Sequence, residues 1–308
     1  MRFWITLALV QQMLHRALRL DAAARLRAYA GEVLVFRQLP AAKELCERFR
    51  SLRSDLESLG LLTFDCDASE TAFEDRERLC RAFERDKEVQ ALYGRMFDEA
   101  GVDPKATCWD RPRLRVQQSG SGVDDVANSA KFGTGKFSST LPPHRDTWAS
   151  NIYQQLQWWM PLCRIDAGRT VCFYPDLFER EVPNGSGDWD FDALRERRKL
   201  GLPYPQLPEL RAEAESVLRA SEAVPVVVDP GDVVIFSGAH LHASVVNTTG
   251  VTRYSAEIRS VSVDDVRAGL GAPNVDGRAP RVPLHWFKRV EDKRSLADLV
   301  DAAVEQKG

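Results

Sequence analysis

Five of the 308 residues are histidines: His15, His144, His240, His242 and His285. His144, His240 and His242 fall in the part of the chain that reads as strands. His144 opens the tripeptide His144-Arg145-Asp146. On an extended backbone, residues i and i+2 project to the same side, so His144 and Asp146 can reach one metal ion while Arg145 points away. A His-x-Asp tripeptide also arises by chance and reads equally well as a loop pair, so its weight comes from its surroundings. Those surroundings include the segment from Gly231 to His242, where the turn Pro230-Gly231-Asp232 starts a strand that delivers a histidine. His240 and His242 share parity on that strand and compete for a third ligand position. His15 and His285 read as ordinary structural or surface histidines.

Eleven residues beyond His242 stands Arg253, opening Arg253-Tyr254-Ser255-Ala256-Glu257-Ile258-Arg259. Alternation places Arg253, Ser255, Glu257 and Arg259 on one face and Tyr254, Ala256 and Ile258 on the other. Four polar side chains on one strand face in a β core are costly to bury without partners, so that face should look into a water- or ligand-filled interior. An arginine and a serine two apart can together hold a carboxylate. Two imidazoles and one carboxylate on a facial array are the ligand set of non-haem Fe(II) oxygenases. Gln155, Gln157 and Trp159 share one parity and should face the same pocket, as candidate substrate contacts. Arg113 and Arg115 also share a face near the entrance. They favour a carboxylate-bearing substrate, although exposed ion pairs explain them equally well.

The elements that position these groups change character along the chain. Leu14, Leu18, Ala22, Leu26 and Tyr29, then Leu45, Phe49, Leu52, Leu56 and Leu59, recur at helical spacing, and a further helix is predicted over 76–100. The apolar run 3–10 is too short to span a bilayer, precedes no cleavage site, and reads as a first helix. From 111 to the late 250s the pattern is one of short strands at 113–117, 151–162, 169–174, 224–228, 233–236 and 254–261. A Gly- and Ser-rich stretch, 119–140, reads as a mobile lid. Charged helical segments lie at 192–199 and 208–220, and the run Arg195 to Lys199 reads as a solvated helix face. An amphipathic helix ends the chain. With no regular βαβ alternation, short strands closed into a two-sheet jelly roll suit this order better than a parallel sheet. The expected organisation is a single domain, 1–308. It comprises a helical flank (1–108), a β core (109–265) with a helical insert at about 188–222, and a C-terminal extension (266–308). The fold class is mainly β with α-helical flanks.

Composition narrows the function. With 42 basic against 45 acidic side chains, the net charge of −3 leaves no excess to hold a polyanion, so no nucleic-acid partner is expected. Six scattered cysteines without a Cys-x-x-Cys pair read as reduced intracellular thiols, so a cytoplasmic location without membrane attachment is expected.

Taken together, His144-x-Asp146, His242 and Arg253 resemble the HxD…H…R signature of Fe(II)/2-oxoglutarate-dependent oxygenases, and the phytanoyl-CoA dioxygenase-like branch in particular. The Gly-Asp-Val-Val-Ile-Phe entry (231–236), the Leu-His-Ala-Ser segment (241–244) and the spacing from His242 to Arg253 carry the likeness, which covers about 110–265. It implies a double-stranded β-helix (jelly roll, cupin-like) core, with Fe(II) on His144, Asp146 and His242. It favours His242 over His240, which then lies behind the ligands or at the pocket rim. It further implies that 2-oxoglutarate chelates the metal with its far carboxylate on Arg253 and Ser255; strand parity, separately, makes Gln157 a candidate contact to the cosubstrate or substrate. O2 would complete a reaction that releases succinate and CO2 and hydroxylates a C–H bond of a small metabolite. Desaturation, cyclisation and epimerisation use the same apparatus, whereas halogenation is disfavoured because Asp146 fills the position a halide would need. One segment departs from the pattern: Gly168 to Asp176 stands where members often carry a Pro-Gly-Ser-His element, so an acyl-CoA substrate does not carry over. Two other readings fit the residues: a cupin-type isomerase or dioxygenase that needs no 2-oxoglutarate, and a non-catalytic jelly-roll binding protein.

Overall fold

Alternation along the strands builds the core. A computed structural model describes residues 13–62, 70–120, 140–202 and 207–305. The larger, eight-stranded sheet runs in the order β1 (Leu14–Arg16), β2 (Val33–Phe36), β8 (Val233–Ser237), β5 (Gln155–Pro161), β10 (Arg253–Ser262), β3 (Thr107–Trp109), β11 (Lys288–Arg289), with β4 (Arg113–Gln117) also paired to β10. A three-stranded sheet, β7 (Val224–Val226), β6 (Val171–Phe173) and β9 (His242–Ser244), faces it. Val33, Val35, Trp159, Val234 and Phe236 of the large sheet pack on Val171, Phe173 and Val226 of the small one. The opposite parity of the large sheet (Leu114, Val116, Leu156, Trp158, Met160, Ile235, Tyr254, Ala256 and Ile258) packs instead against helices. Two apolar layers therefore sandwich the large sheet, and its polar side chains at 113, 115, 155, 157, 253, 255, 257 and 259 share the parity that faces the small sheet. This is a sheet-rich jelly-roll core with helical flanks, the expected fold class.

The helical layer comprises α1 (Ala22–Tyr29), α2 (Pro40–Ser58), α3 (Glu70–Arg85) and α4 (Lys87–Glu99). Two expectations need correction. The leucine periodicity from Leu14 does not make one helix. Leu14 pairs with Val33 in β1, Leu18 is exposed, and the Asp21 carboxylate caps α1 by accepting from Ala24 N at 2.9 Å. The helix predicted over 76–100 is broken at Asp86, whose backbone is extended and whose side chain caps α4 through Val89 N at 2.8 Å. A fully buried strand, β2, was not anticipated, since four apolar residues carry no period of their own. The helical insert contains α6 (Phe191–Lys199) and α7 (Ala214–Arg219), following the single turn α5 (Thr147–Ser150). After β10 come α8 (Val263–Arg267) and α9 (Leu296–Glu305), which pack with Phe287 and Ile152 against β3 and β10. The first-helix reading of 3–10 and all but the ends of the expected lid lie outside the described residues. Among the described residues, no helix is long and apolar enough to cross a membrane.

Candidate metal centre and its two cavities

His144 and His242 are brought together by the backbone before their side chains matter. His144 N donates to His242 O and His242 N donates to His144 O, each at 3.0 Å, an antiparallel bridge that extends the small sheet at its β9 edge. The two rings then lie 4.3 Å apart. Each ring is oriented by its own neighbourhood: His144 Nδ1 lies 2.8 Å from Pro142 O, and His242 Nδ1 lies 3.0 Å from His240 O. A proton on each Nδ1 satisfies those carbonyls and leaves both Nε2 lone pairs free to bind a metal. Burial, and then the neighbouring His242, pull His144 down to about 4, so its ring is neutral at physiological pH.

Asp146 joins them at the start of α5, where Thr147 N donates to Gly238 O at 3.2 Å. Its Oδ1 stands 3.7 Å from His144 Nε2, and Oδ2 accepts from Gln157 Nε2. Burial alone would raise this carboxyl, but His242, His144, Arg259 and the Gln157 amide hold it below the ordinary value. One ligand atom from each of His144, Asp146 and His242 lies within 4.8 Å of the others, and all three residues are buried. Two imidazoles and a carboxylate form the donor set that suits a divalent iron ion.

His240 is not in this cluster. β8 ends at Ser237 and a turn intervenes before β9, so His240 and His242 do not share a strand. The His240 ring is caged by Phe173, Phe178 and Phe236, with Nε2 3.0 Å from Gly31 O and Nδ1 3.1 Å from Ser237 O. It lines neither cavity at the centre and so is not a rim residue either.

From the ligands, a narrow cavity of about 30 Å³ runs between the sheets to Arg253, past Trp159, Val171, Phe236 and Ser244. Arg253 is buried. It donates from Nη1 to Thr170 O at 2.8 Å, while its Nε has no partner. Burial, and then Arg115, pull this guanidinium down to about 10. Ser255, on the same strand face, has a fully buried hydroxyl with no partner, although it does not line the cavity. An orphaned guanidinium N–H at the far end of a cavity that begins at the two histidines fits the distal carboxylate of 2-oxoglutarate.

A second cavity, of about 490 Å³, opens on the other side of His144 and Asp146. The two cavities share Arg115, Leu141, His144, Gln157 and Glu257. Arg113 and Arg115 both line the larger one, yet each is engaged: Arg113 with Asp110 at 2.7 Å and Arg115 with Glu257 at 2.8 Å. Gln155 and Trp159, read as substrate contacts, do not line it. Trp159 is packed between the sheets, and the Gln155 amide lies beside Gly238 with neither polar atom partnered. Gln157 spends its N–H on Asp146 and keeps an unpartnered Oε1. Arg195, read as part of a solvated helix face, is half-exposed and lines this cavity. Sequence reasoning missed Asp110, Trp189, Phe191 and Trp286, which come from a loop, the insert and the extension. No spacing rule ties them to the motif. Arg259 was available from its parity with Arg253.

The sequence profile of the phytanoyl-CoA dioxygenase family matches residues 28–255. No curated protein matches the chain. Among solved structures the chain is similar to SnoK, a non-heme alpha-ketoglutarate-dependent carbocyclase from nogalamycin biosynthesis (14% identity, TM-score 0.47, 83% of this chain and 94% of that one). It is also similar to the epimerase SnoN, solved with Fe3+, alpha-ketoglutarate and nogalamycin RO (15% identity, TM-score 0.42, 79% and 85%). A third is AviO1 from Streptomyces viridochromogenes Tue57 (15% identity, TM-score 0.40, 79% and 96%).

Proposed function

The chain belongs to the phytanoyl-CoA dioxygenase family, whose cofactor is Fe(II) and whose cosubstrates are 2-oxoglutarate and O2, and from that membership we propose that it hydroxylates an unactivated C–H bond of a small metabolite while 2-oxoglutarate is decarboxylated to succinate and CO2. The observation that carries this reading is the cluster of His144, Asp146 and His242 donors beside a cavity that also reaches Arg253, whose buried Nε has no partner. His144, Asp146 and His242 would hold Fe(II), which when bound with 2-oxoglutarate supplies the O2 activation and hydrogen abstraction. Arg253 fixes the distal carboxylate, with Ser255 as the nearest spare hydroxyl on its strand. Gln157 holds Asp146 through Oδ2, leaving Oδ1 on the side of the histidines. The buried walls at Trp159, Val171 and Phe236 exclude water from the cosubstrate channel.

The test is succinate release from the purified chain with Fe(II), ascorbate and 2-oxoglutarate across a metabolite panel, beside an anaerobic visible spectrum. A charge-transfer band that needs both Fe(II) and 2-oxoglutarate, abolished by Asp146→Ala, is the expected result. If Arg253→Ala left turnover and the band unchanged, a cupin-type enzyme independent of 2-oxoglutarate would replace this reading.

A further inference from the structure

The larger cavity has two unlike walls. One is ionic: Asp110, buried, accepts from Arg259 Nε at 2.6 Å and pairs with Arg113 Nη1 at 2.7 Å. Arg115 and Glu257 form their own pair beside it. Two guanidinium groups therefore share one carboxylate, and this buried network carries one positive charge more than it neutralises among the described residues. The metal side adds no net charge, although Asp146 lies within electrostatic reach of Arg259. With Fe(II) and 2-oxoglutarate in place, the dication, the dianion, the Asp146 carboxylate and the Arg253 guanidinium cancel. Farther out, Arg111 pairs with Glu84 at 3.7 Å and Arg195 with Asp192 at 4.0 Å, so neither changes that balance. The facing wall is aromatic. Trp189, Phe191 and Leu194 pack together, and the Phe191 ring meets Trp286 edge-on at 3.5 Å. Arg259 joins the two walls, since its guanidinium lies 5.8 Å from the Trp286 ring centroid while its Nε serves Asp110.

Two buried guanidinium groups that share one carboxylate are better satisfied by a second anion, which a ligand can supply on binding. We infer that the substrate is an organic acid: an apolar or aromatic body seated on Trp189, Phe191 and Trp286, with its carboxylate (or an equivalent anion) against Arg113 and Arg259. This rests on the oxygenase reading only for the word substrate, because the anion site itself is assembled by this chain's own charges. It also moves the acid-binding role from the Arg113–Arg115 face to the Arg113–Arg259 pair, since Arg115 is already paired with Glu257 at 2.8 Å.

Three probes with the same ring test it: naphthalene-2-carboxylate, its methyl ester, and 2-naphthylmethylammonium. Each is titrated calorimetrically into the full-length chain, with excess 2-oxoglutarate present to occupy Arg253. The carboxylate should bind at least about tenfold more tightly than either relative. Arg259→Gln should bring the three within about twofold of one another, and Trp286→Ala should weaken all three while keeping their order. Arg253→Ala should leave the preference intact. Equal binding of the three probes by the wild type, preference for the amine, or loss of the preference in Arg253→Ala would each overturn the proposal. The wild-type comparison decides the matter even if a variant fails to fold. Carboxylate preference without succinate formation would remove the oxygenase reading and keep the anion site. Succinate formation with no probe preference would do the reverse.

Discussion

An imidazole binds a metal only through a lone pair, so the proton on its other nitrogen must be held elsewhere. His144 and His242 each meet that requirement with a backbone carbonyl, at Pro142 and His240. Arg253 is the complementary case, a buried cation whose Nε waits for an anion. Arg253→Ala should therefore raise the dissociation constant for 2-oxoglutarate by at least about 30-fold, the equivalent of about 2 kcal/mol or more, in anaerobic titrations of the charge-transfer band. Ser255→Ala should cost about 1 kcal/mol by the same measurement. His240 contributes through its neutrality. Burial pulls it from the ordinary 6.5 down to about 4. Between those values the unfolded chain takes up a proton that the folded chain refuses. Stability from His240 is thus complete above pH 6.5 and is lost as the pH falls toward 4. Urea unfolding of the wild type between pH 6 and 4.5 should show a steeper pH slope than His240→Gln, by up to about 1.4 kcal/mol per pH unit. Equal slopes would mean that the ring is not buried neutral.

Elements convert these residues into a site. Strand parity was legible in the sequence: it put Arg253, Ser255, Glu257 and Arg259 on one face, Gln157 on the face shared with Gln155 and Trp159, and Arg113 with Arg115, because a two-residue period has no other reading once one face is apolar. The helix starts were not legible, since Asp21 and Asp86 act as caps only where the chain leaves helical geometry, and tertiary packing decides that. The carboxyl-terminal contribution was invisible for a similar reason. Arg145, which does point away from the metal side, donates to the carbonyls of Leu177, Phe178, Arg180 and Ala239 and pairs with Asp276 at 3.1 Å. Asp276 also accepts from Trp148 Nε1 at 2.7 Å and from Val182 N at 3.0 Å. Residues 131 positions apart thereby clamp the loop that carries His144 and Asp146. Removing one partner of a buried pair leaves the other charge uncompensated, so Asp276→Ala should destabilise the fold by about 3–5 kcal/mol in denaturant unfolding, with Asp276→Asn milder. An unchanged midpoint would show that the clamp is dispensable. Gly238 tests the same loop from its other side. A Cβ there would meet the Gln155 amide at 3.1 Å and Asp146 Cβ at 3.3 Å. Gly238→Ala should accordingly weaken metal binding more than it lowers stability.

At the scale of the molecule, one apolar cluster runs from Ala17 through α2 and α4, across the large sheet, to Ala272. A second is shared by the two sheets. We propose that flank, core and extension unfold as one unit, because shared apolar clusters join the flank helices to the large sheet and the extension to β3 and β10. Circular dichroism and tryptophan fluorescence should then give coincident transitions, since the tryptophans at 109, 148, 158, 159, 189 and 286 report on every layer. Two separated transitions would divide the chain into independent domains. Ligand linkage supplies the stronger version of this test. If Fe(II) and 2-oxoglutarate bind where residues 144, 146, 242 and 253 converge, as proposed, they should stabilise the whole cooperative unit and not a local patch. At about a hundredfold excess over the dissociation constant the gain is about 2.7 kcal/mol, or several degrees in Tm for a chain of this size. Under anaerobic conditions the wild type should show that shift with Fe(II), and a further one when 2-oxoglutarate is added. Asp146→Ala should show neither, while Arg253→Ala should keep the first and lose most of the second. A shift that survives in Asp146→Ala would mean that the ion binds elsewhere and that the three convergent side chains are not its site.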